Sequence, residues 1–149
     1  MKVEIMSIEV SKCYPLRHKM LRKGKPLETC HFDGDNSKGT FHLGALVDKE
    51  IIGIISIYEK ELSQFKNSKG AQFRGIAVAS KYQRKGVATK LINYAQKETI
   101  KRINPKYIWL NGRISANNLY LDRGFKPIGN QFEINTIGIH QRFIKMISG

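Results

Sequence analysis

The sequence predicts a mixed α/β fold of the α+β type, with a central, mostly antiparallel sheet, one parallel crossover pair and flanking helices. Three observations carry this. Phe41 to Val47 and Ile51 to Tyr58 are apolar runs separated only by Asp48-Lys49-Glu50, the spacing of an antiparallel hairpin. The second run is apolar on both faces, as expected of a central strand covered on both sides. Residues 73 to 111 read strand, helix, strand, a crossover whose two strands run parallel.

Taken in order, Val3 to Val10 alternates weakly and predicts a first strand. Tyr14 to Arg22 carries Leu16, Met20 and Leu21 at helical spacing after Pro15, and Gly24 with Pro26 ends that helix. Asp33 to Gly39 is a loop by composition. After the hairpin, Phe73 to Ala79 is a further strand. The helix from about Gly86 to Arg102 places Val87, Ala88, Leu91, Ile92 and Ala95 on one stripe and Lys90, Asn93, Lys97 and Lys101 on the other, and Asn104-Pro105 stops it. Tyr107 to Asn111 is the next strand. Ser115 to Arg123 is a short helix closed by Gly124 as a left-handed C′ residue. Two last strands fall near Gln131 to Ile134 and Ile139 to Ile147.

The 149 residues suit one domain, spanning 1–149, since no repeat or Gly/Ser/Pro linker divides them. No apolar run approaches the roughly 20 residues of a membrane-spanning helix. The segment Met1-Lys2-Val3-Glu4-Ile5 has an acidic residue where a signal peptide has its apolar core, so a cytoplasmic location is expected. There Cys13 and Cys30 are expected as free thiols. Their spacing to His18 and His31 lacks the paired geometry of a zinc site, and no metal is expected. A net charge of +14 attracts polyanions, among them nucleic acid and phosphorylated cofactors. Nucleic acid is the lesser expectation, because no helix-turn-helix, aromatic RNA-binding signature or contiguous basic arm is present.

The chemistry concentrates at Gln83-Arg84-Lys85-Gly86-Val87-Ala88-Thr89, after an apolar strand and at the start of an amphipathic helix. A helix amino terminus offers unpaired N–H groups and the positive end of a dipole, so this turn is an anion cradle suited to a diphosphate. Gly86 lets backbone and ligand approach closely, and Arg84 and Lys85 add charge at the rim. The pattern is neither a Walker A loop nor a dinucleotide G-x-G-x-x-G.

With Arg74-Gly75-Ile76-Ala77-Val78 before that turn and Ala116-Asn117-Asn118-Leu119-Tyr120-Leu121-Asp122-Arg123-Gly124-Phe125 after it, the chain resembles the GNAT superfamily of acyl-CoA-dependent N-acyltransferases. The last stretch is similar to the family's A-x-x-x-Y-x-x-x-G-F segment. Phe41-His42-Leu43-Gly44 and Phe132-Glu133-Ile134 followed by Ile137-Gly138-Ile139-His140 resemble a small, little-characterised branch. The resemblance implies a GNAT-like fold and transfer of an acetyl group from acetyl-CoA, without metal, to an amine by direct attack in a ternary complex. It implies that Ile76, Ala77 and Val78 bind pantetheine, that Arg84, Lys85, Gly86, Val87, Ala88 and Thr89 bind the pyrophosphate, and that Tyr120 protonates the departing thiolate. Ala88 stands where many members have a second glycine, and Arg113 where many have asparagine.

Trp109, Asn111 and Arg113, at or past the carboxyl end of a strand, and His140 are candidates for the acceptor pocket. Trp109 is equally a candidate for plain core, and His42, Glu133 and His140 for structural roles on their strands. Gln72 to Val78 contains no carboxylate, where many relatives keep a general base. The base therefore stays open among Glu133, His140 and a water relay. Loops Lys23 to Gly39 and Lys60 to Gly70 are expected to shape the acceptor pocket, whose small-molecule or peptide amine the sequence does not name. A catalytically inactive CoA-binding regulator is the remaining alternative, and oligomeric state is open.

Overall fold

In the computed structural model, which describes residues 1–134 and 137–147, the central hairpin turns on Asp48 and Lys49. Both are at positive φ, 48° and 68°, and Val47 faces Glu50, so the connection is a two-residue turn of the kind that matches strand twist. Among the described residues there are seven strands: β1 (Glu4–Ile8), β2 (Phe41–Val47), β3 (Glu50–Glu59), β4 (Gly70–Val78), β5 (Tyr107–Arg113), β6 (Lys126–Ile134) and β7 (Gly138–Met146). They form one sheet in the order β1-β2-β3-β4-β5-β7-β6. Only β4 and β5 pair in parallel, which is the predicted mixed, mostly antiparallel architecture.

Helix α2 (Val87–Arg102) is the crossover, and it buries Val87, Leu91, Ile92, Ala95 and Thr99. Its stripe packs with Leu43, Ile55, Ile57, Phe73, Ile108 and Leu110 into the main core. Gly53 permits the close approach, because a Cβ there would stand 3.0 Å from both Leu91 Cδ1 and Val87 Cγ1. The other face of β3 is covered by α1 (Tyr14–Leu16), which runs on into a π-helical turn, Arg17–Leu21. Cys13, Leu16, Ile54 and Ala77 pack there, so β3 is enclosed on both sides. Cys13 and Cys30 are both free and buried.

Beside that small cluster lies a buried polar network. The Arg17 guanidinium donates to Asp35 Oδ2 at 2.7 Å and Oδ1 at 3.0 Å, to Ser56 Oγ at 2.9 Å and to the Cys30 carbonyl at 2.9 Å. Tyr58 donates to Asp35 Oδ1 at 2.6 Å, and the backbone N–H of Phe32 donates to Asp35 Oδ2 at 2.8 Å. His42 joins through Ser56 Oγ (2.7 Å) and the Asp35 carbonyl (3.0 Å). A buried charge requires this degree of pairing.

Several boundaries differ from the sequence expectation. β1 is shorter than Val3 to Val10, because Val10–Lys12 closes into a 3₁₀ turn. β4 starts at Gly70, where its pairing to β5 begins at Tyr107. β6 starts at Lys126, opposite Ile144 of β7. The expected helix Ser115 to Arg123 divides into a 3₁₀ turn, Ile114–Ala116, and α3 (Asn117–Leu121). Gly124 closes it at φ 91°, and the N–H of Phe125 returns to the Tyr120 carbonyl at 3.1 Å.

Candidate active site

The site begins where the parallel pair stops being a pair. β4 and β5 are in register from Gly70 and Tyr107 to Phe73 and Leu110, yet both strands continue, to Val78 and Arg113. On its other side β4 shifts register against β3 between Ser56↔Arg74 and Ile54↔Ala77, with Gly75 at φ 65°. An extra residue on one strand bends it. Here the bend carries residues 74 to 78 away from β5 and opens a cleft of about 400 Å³.

Backbone polarity in this segment follows from its neighbours. Ala79 N–H donates to Ile52 O at 2.8 Å, so by antiparallel alternation Ala77 also faces β3, while Ile76 and Val78 turn their amide groups to the cleft. The Val78 carbonyl accordingly takes a bond from Gln83 Nε2 at 3.0 Å. Gln83 and Val78 line both the cleft and an adjoining cavity of about 250 Å³ formed with Tyr82, Arg84, Gly86, Val87, Ala88, Thr89 and Leu119.

That second cavity is the amino terminus of α2. Gly86 is the N-cap at φ 80° and supplies no side-chain cap, so the first N–H groups of a sixteen-residue helix point outward without a partner from that cap. A Cβ on Gly86 would meet nothing within 4 Å. The glycine suits this left-handed backbone, a conformational reason that adds to the expected close approach of a ligand. Arg84, also left-handed at φ 61°, lines the cradle, while exposed Lys85 does not line it.

Tyr120, on α3, lines the cleft and is 6% exposed. Its ring rests against Phe143 at 5.3 Å between centroids and edge-on to Phe125 at 6.5 Å. Gly112 of β5 makes room for it, since a Cβ there would collide with the ring. Burial pushes the phenol up to about 12, with only a small opposing effect from Arg113.

The acceptor candidates separate. Asn111, Arg113 and His140 line the cleft. Trp109 does not: it is buried with Leu62, Tyr107 and Ile144 on the sheet face opposite α2, its indole N–H donates to the Lys60 carbonyl at 2.9 Å, and Arg142 lies over its ring at 4.8 Å. The strand alternation of β5 imposes this, because Ile108 and Leu110 face α2. Loop 60–70 packs on the same outer cluster, Leu62 N–H donating to the Tyr107 hydroxyl. It contributes no residue to the cleft, whereas the loop 23–39 contributes Phe32. Glu133 is exposed and outside the cleft lining. His42 belongs to the buried Asp35 network. The imidazole of His140 has Nδ1 at 2.9 Å from the Gly138 carbonyl. A carbonyl only accepts, so Nδ1 carries the proton and Nε2 keeps its lone pair in the neutral ring.

Sequence reasoning missed Met20, Leu21, Arg22, Phe32, Gln72 and Arg74 as cleft residues. Among the described residues no group of three or more His, Cys, Asp or Glu could hold a metal ion.

Residues 26–146 match the family model described as an acetyltransferase (GNAT) domain. The chain belongs to the GNAT acetyltransferase-domain family. A curated relative, the uncharacterized N-acetyltransferase YitI of Bacillus subtilis (strain 168), is 28% identical over 138 residues, 93% of this chain and 92% of that protein. Two solved structures share the GNAT fold with it. The NatC complex bound to Gag peptide and CoA is 18% identical, with coverage of 99% of this chain and 100% of that one and a TM-score of 0.79. Arabidopsis thaliana NAA60 in complex with acetyl-CoA is 15% identical, with coverage of 99% and 100% and a TM-score of 0.76. The GNAT assignment fits both the splayed pair and the bare helix terminus, and it leaves the acceptor to be argued from the cleft.

Proposed function

We propose that this GNAT chain is an N-acetyltransferase that moves the acetyl group of acetyl-CoA to the amine of a small acceptor by direct attack in a ternary complex. The observation that carries the reading is the continuity of the cleft. It runs from Tyr120, along the cleft-facing amides of Ile76 and Val78, into the uncapped amino terminus of α2. The residues present fit the co-substrate. The N–H groups of Val87, Ala88 and Thr89 offer a diphosphate its donors, Arg84 adds a cation, and the amides of Ile76 and Val78, held out by the pairing of Ala77 between them to β3, offer a strand-like edge for a pantetheine amide chain. When bound, acetyl-CoA supplies the thioester carbonyl that accepts the amine nitrogen and the thiolate that leaves.

The balance is amine plus thioester to amide plus thiol. One proton must leave the attacking nitrogen and one must reach sulfur. His140, which lines the cleft with Nδ1 committed to the Gly138 carbonyl, is assigned to take the first on Nε2, directly or through water. Tyr120 holds a phenolic proton for the second, and a backbone N–H near Val78 polarises the carbonyl. Cytoplasmic operation is part of this reading.

Thermal unfolding with acetyl-CoA tests it, since a ligand that binds only the folded state raises the melting temperature. Wild type is expected to shift without added metal. Gly86→Glu, which puts a carboxylate in the cradle, is expected to abolish the shift. Gly86→Ala is expected to lower the baseline by about 1–2 kcal/mol of left-handed strain. Equal shifts in wild type and Gly86→Glu would exclude the cradle. A shift without thiol release from acetyl-CoA across an amine panel would instead describe a regulator.

A further inference from the structure

The end of the cleft remote from α2 is built from arginine. Arg22, at the end of the π-helical turn after α1, and Arg74, on β4, both line the cleft and both stack on Phe32, their Cζ atoms 5.1 Å and 4.6 Å from its ring centroid. Arg113 lines the same cleft from β5. None of the three arginines lines the cavity at the amino terminus of α2, so this cluster is separate from the phosphate cradle. Among the described residues no Asp or Glu lines the cleft, and none forms an ion pair with Arg22, Arg74 or Arg113.

The cluster is held in place rather than draped on the surface. Phe32 is buried, its N–H fixed by Asp35 and its ring covered at 4.0 Å by Arg17, whose own charge Asp35 neutralises. Burial, and then the neighbouring charges of Arg74 and Arg113, depress the Arg22 pKa. Converging guanidinium groups with no counter-charge are unfavourable until an anion is present, and their planar forks match carboxylate or phosphate oxygens in pairs.

Resting on the acyltransferase reading, we propose that the acceptor is a small primary amine carrying a carboxylate or phosphate group, which Arg22 and Arg74, with Arg113 at the rim, hold while the amine faces His140 and the thioester. The same positive field lowers the pKa of the acceptor's ammonium group, which favours the neutral nucleophile. It also rejects polyamines by like-charge repulsion.

The test compares matched amines in a thiol-release assay: O-phosphoethanolamine against ethanolamine, β-alanine against β-alaninamide, and spermidine. At least one anionic member is expected to exceed its neutral partner at least ten-fold in kcat/KM. In R22Q/R74Q that preference is expected to fall below about three-fold, mainly through KM, with the acetyl-CoA thermal shift retained. R22K/R74K, which keeps charge but loses the forks, is expected between the two and controls for folding. Inorganic phosphate titrated onto the protein without acetyl-CoA reads the cluster independently of turnover: beside binding at the α2 cradle, which R22Q/R74Q retains, a second phosphate site is expected that disappears in R22Q/R74Q. A shift with acetyl-CoA but no preference for anionic amines and no second phosphate site overturns the proposal and leaves the acyltransferase reading standing. Preference for ethanolamine or spermidine, or a preference surviving in R22Q/R74Q, overturns it too. Absence of any acetyl-CoA shift in wild type overturns the acyltransferase reading instead, while the second phosphate site still reports on the arginines.

Discussion

Burial keeps the Tyr120 phenol protonated near neutrality, the state that the proposed proton transfer to the thiolate starts from. With the group pushed up to about 12, it is neutral through the physiological range, and its stabilising contribution is complete below the usual phenol value near 10 and lost as pH rises through about 12. Tyr120→Phe keeps the ring against Phe125 and Phe143. Turnover is expected to fall by roughly ten-fold to a thousand-fold, with acetyl-CoA affinity and melting temperature little changed. Full turnover, or loss of stability in proportion to activity, would make the residue a packing element only. At the cradle, replacing Arg84 and Lys85 together by Gln is expected to weaken CoA more than it weakens pantetheine, which lacks the phosphates, as measured by calorimetry. Equal losses would show that neither side chain meets phosphate. Gly86 was legible as the glycine of this turn, but its backbone need was not: φ 80° is a left-handed conformation that no local pattern announces. Trp109 illustrates the limit of strand reading. Position near a carboxyl end was legible, but the face was fixed by neighbours on β7 and by the Lys60 carbonyl, which are distant in sequence.

At the scale of elements, the buried Arg17–Asp35 pair links the π-helical turn after α1, the 27–39 loop and β3 through Ser56 and Tyr58. Although burial alone would raise the Asp35 carboxyl, hydrogen bonds from Arg17, Tyr58 and the Phe32 N–H hold it below the ordinary carboxylate range. The stability it contributes is therefore present above about pH 4 and lost on acidification through the lower folded value. Arg17→Met strands a buried carboxylate, and an unfolding free energy lower by about 3–5 kcal/mol is expected in urea titration, with Arg17→Met/Asp35→Leu recovering part of it. A loss under 1 kcal/mol would mean that solvent reaches the pair. This network was invisible in the sequence, because Arg17 is one basic residue among several between Lys12 and Lys25 and its partners lie 13 to 41 residues away. By contrast the hairpin and α2 were legible almost to the residue, since each is specified by local periodicity and a stop signal. Where β7 inserts was not legible, because strand order depends on pairings outside any local window.

For the whole molecule, the charge of +14 acts at a distance. Acetyl-CoA is highly anionic, so its association rate is expected to fall several-fold between about 0.02 and 0.2 M salt in stopped-flow measurements, as the screening length shortens from about 20 Å to below 10 Å. A salt-independent rate would confine the charge to solubility. Heparin retention lost at modest salt is expected as well, and tight retention with a steep salt slope would favour a nucleic-acid role. The position of β7 between β5 and β6 also sets an order of assembly. β6 leaves the ribosome before its only neighbour in the sheet, and β5 waits with one edge bare. The strand carrying His140 is thus synthesised after the whole of α2. Until it arrives, β5 and β6 each present an unpaired edge, the kind of surface a chaperone engages.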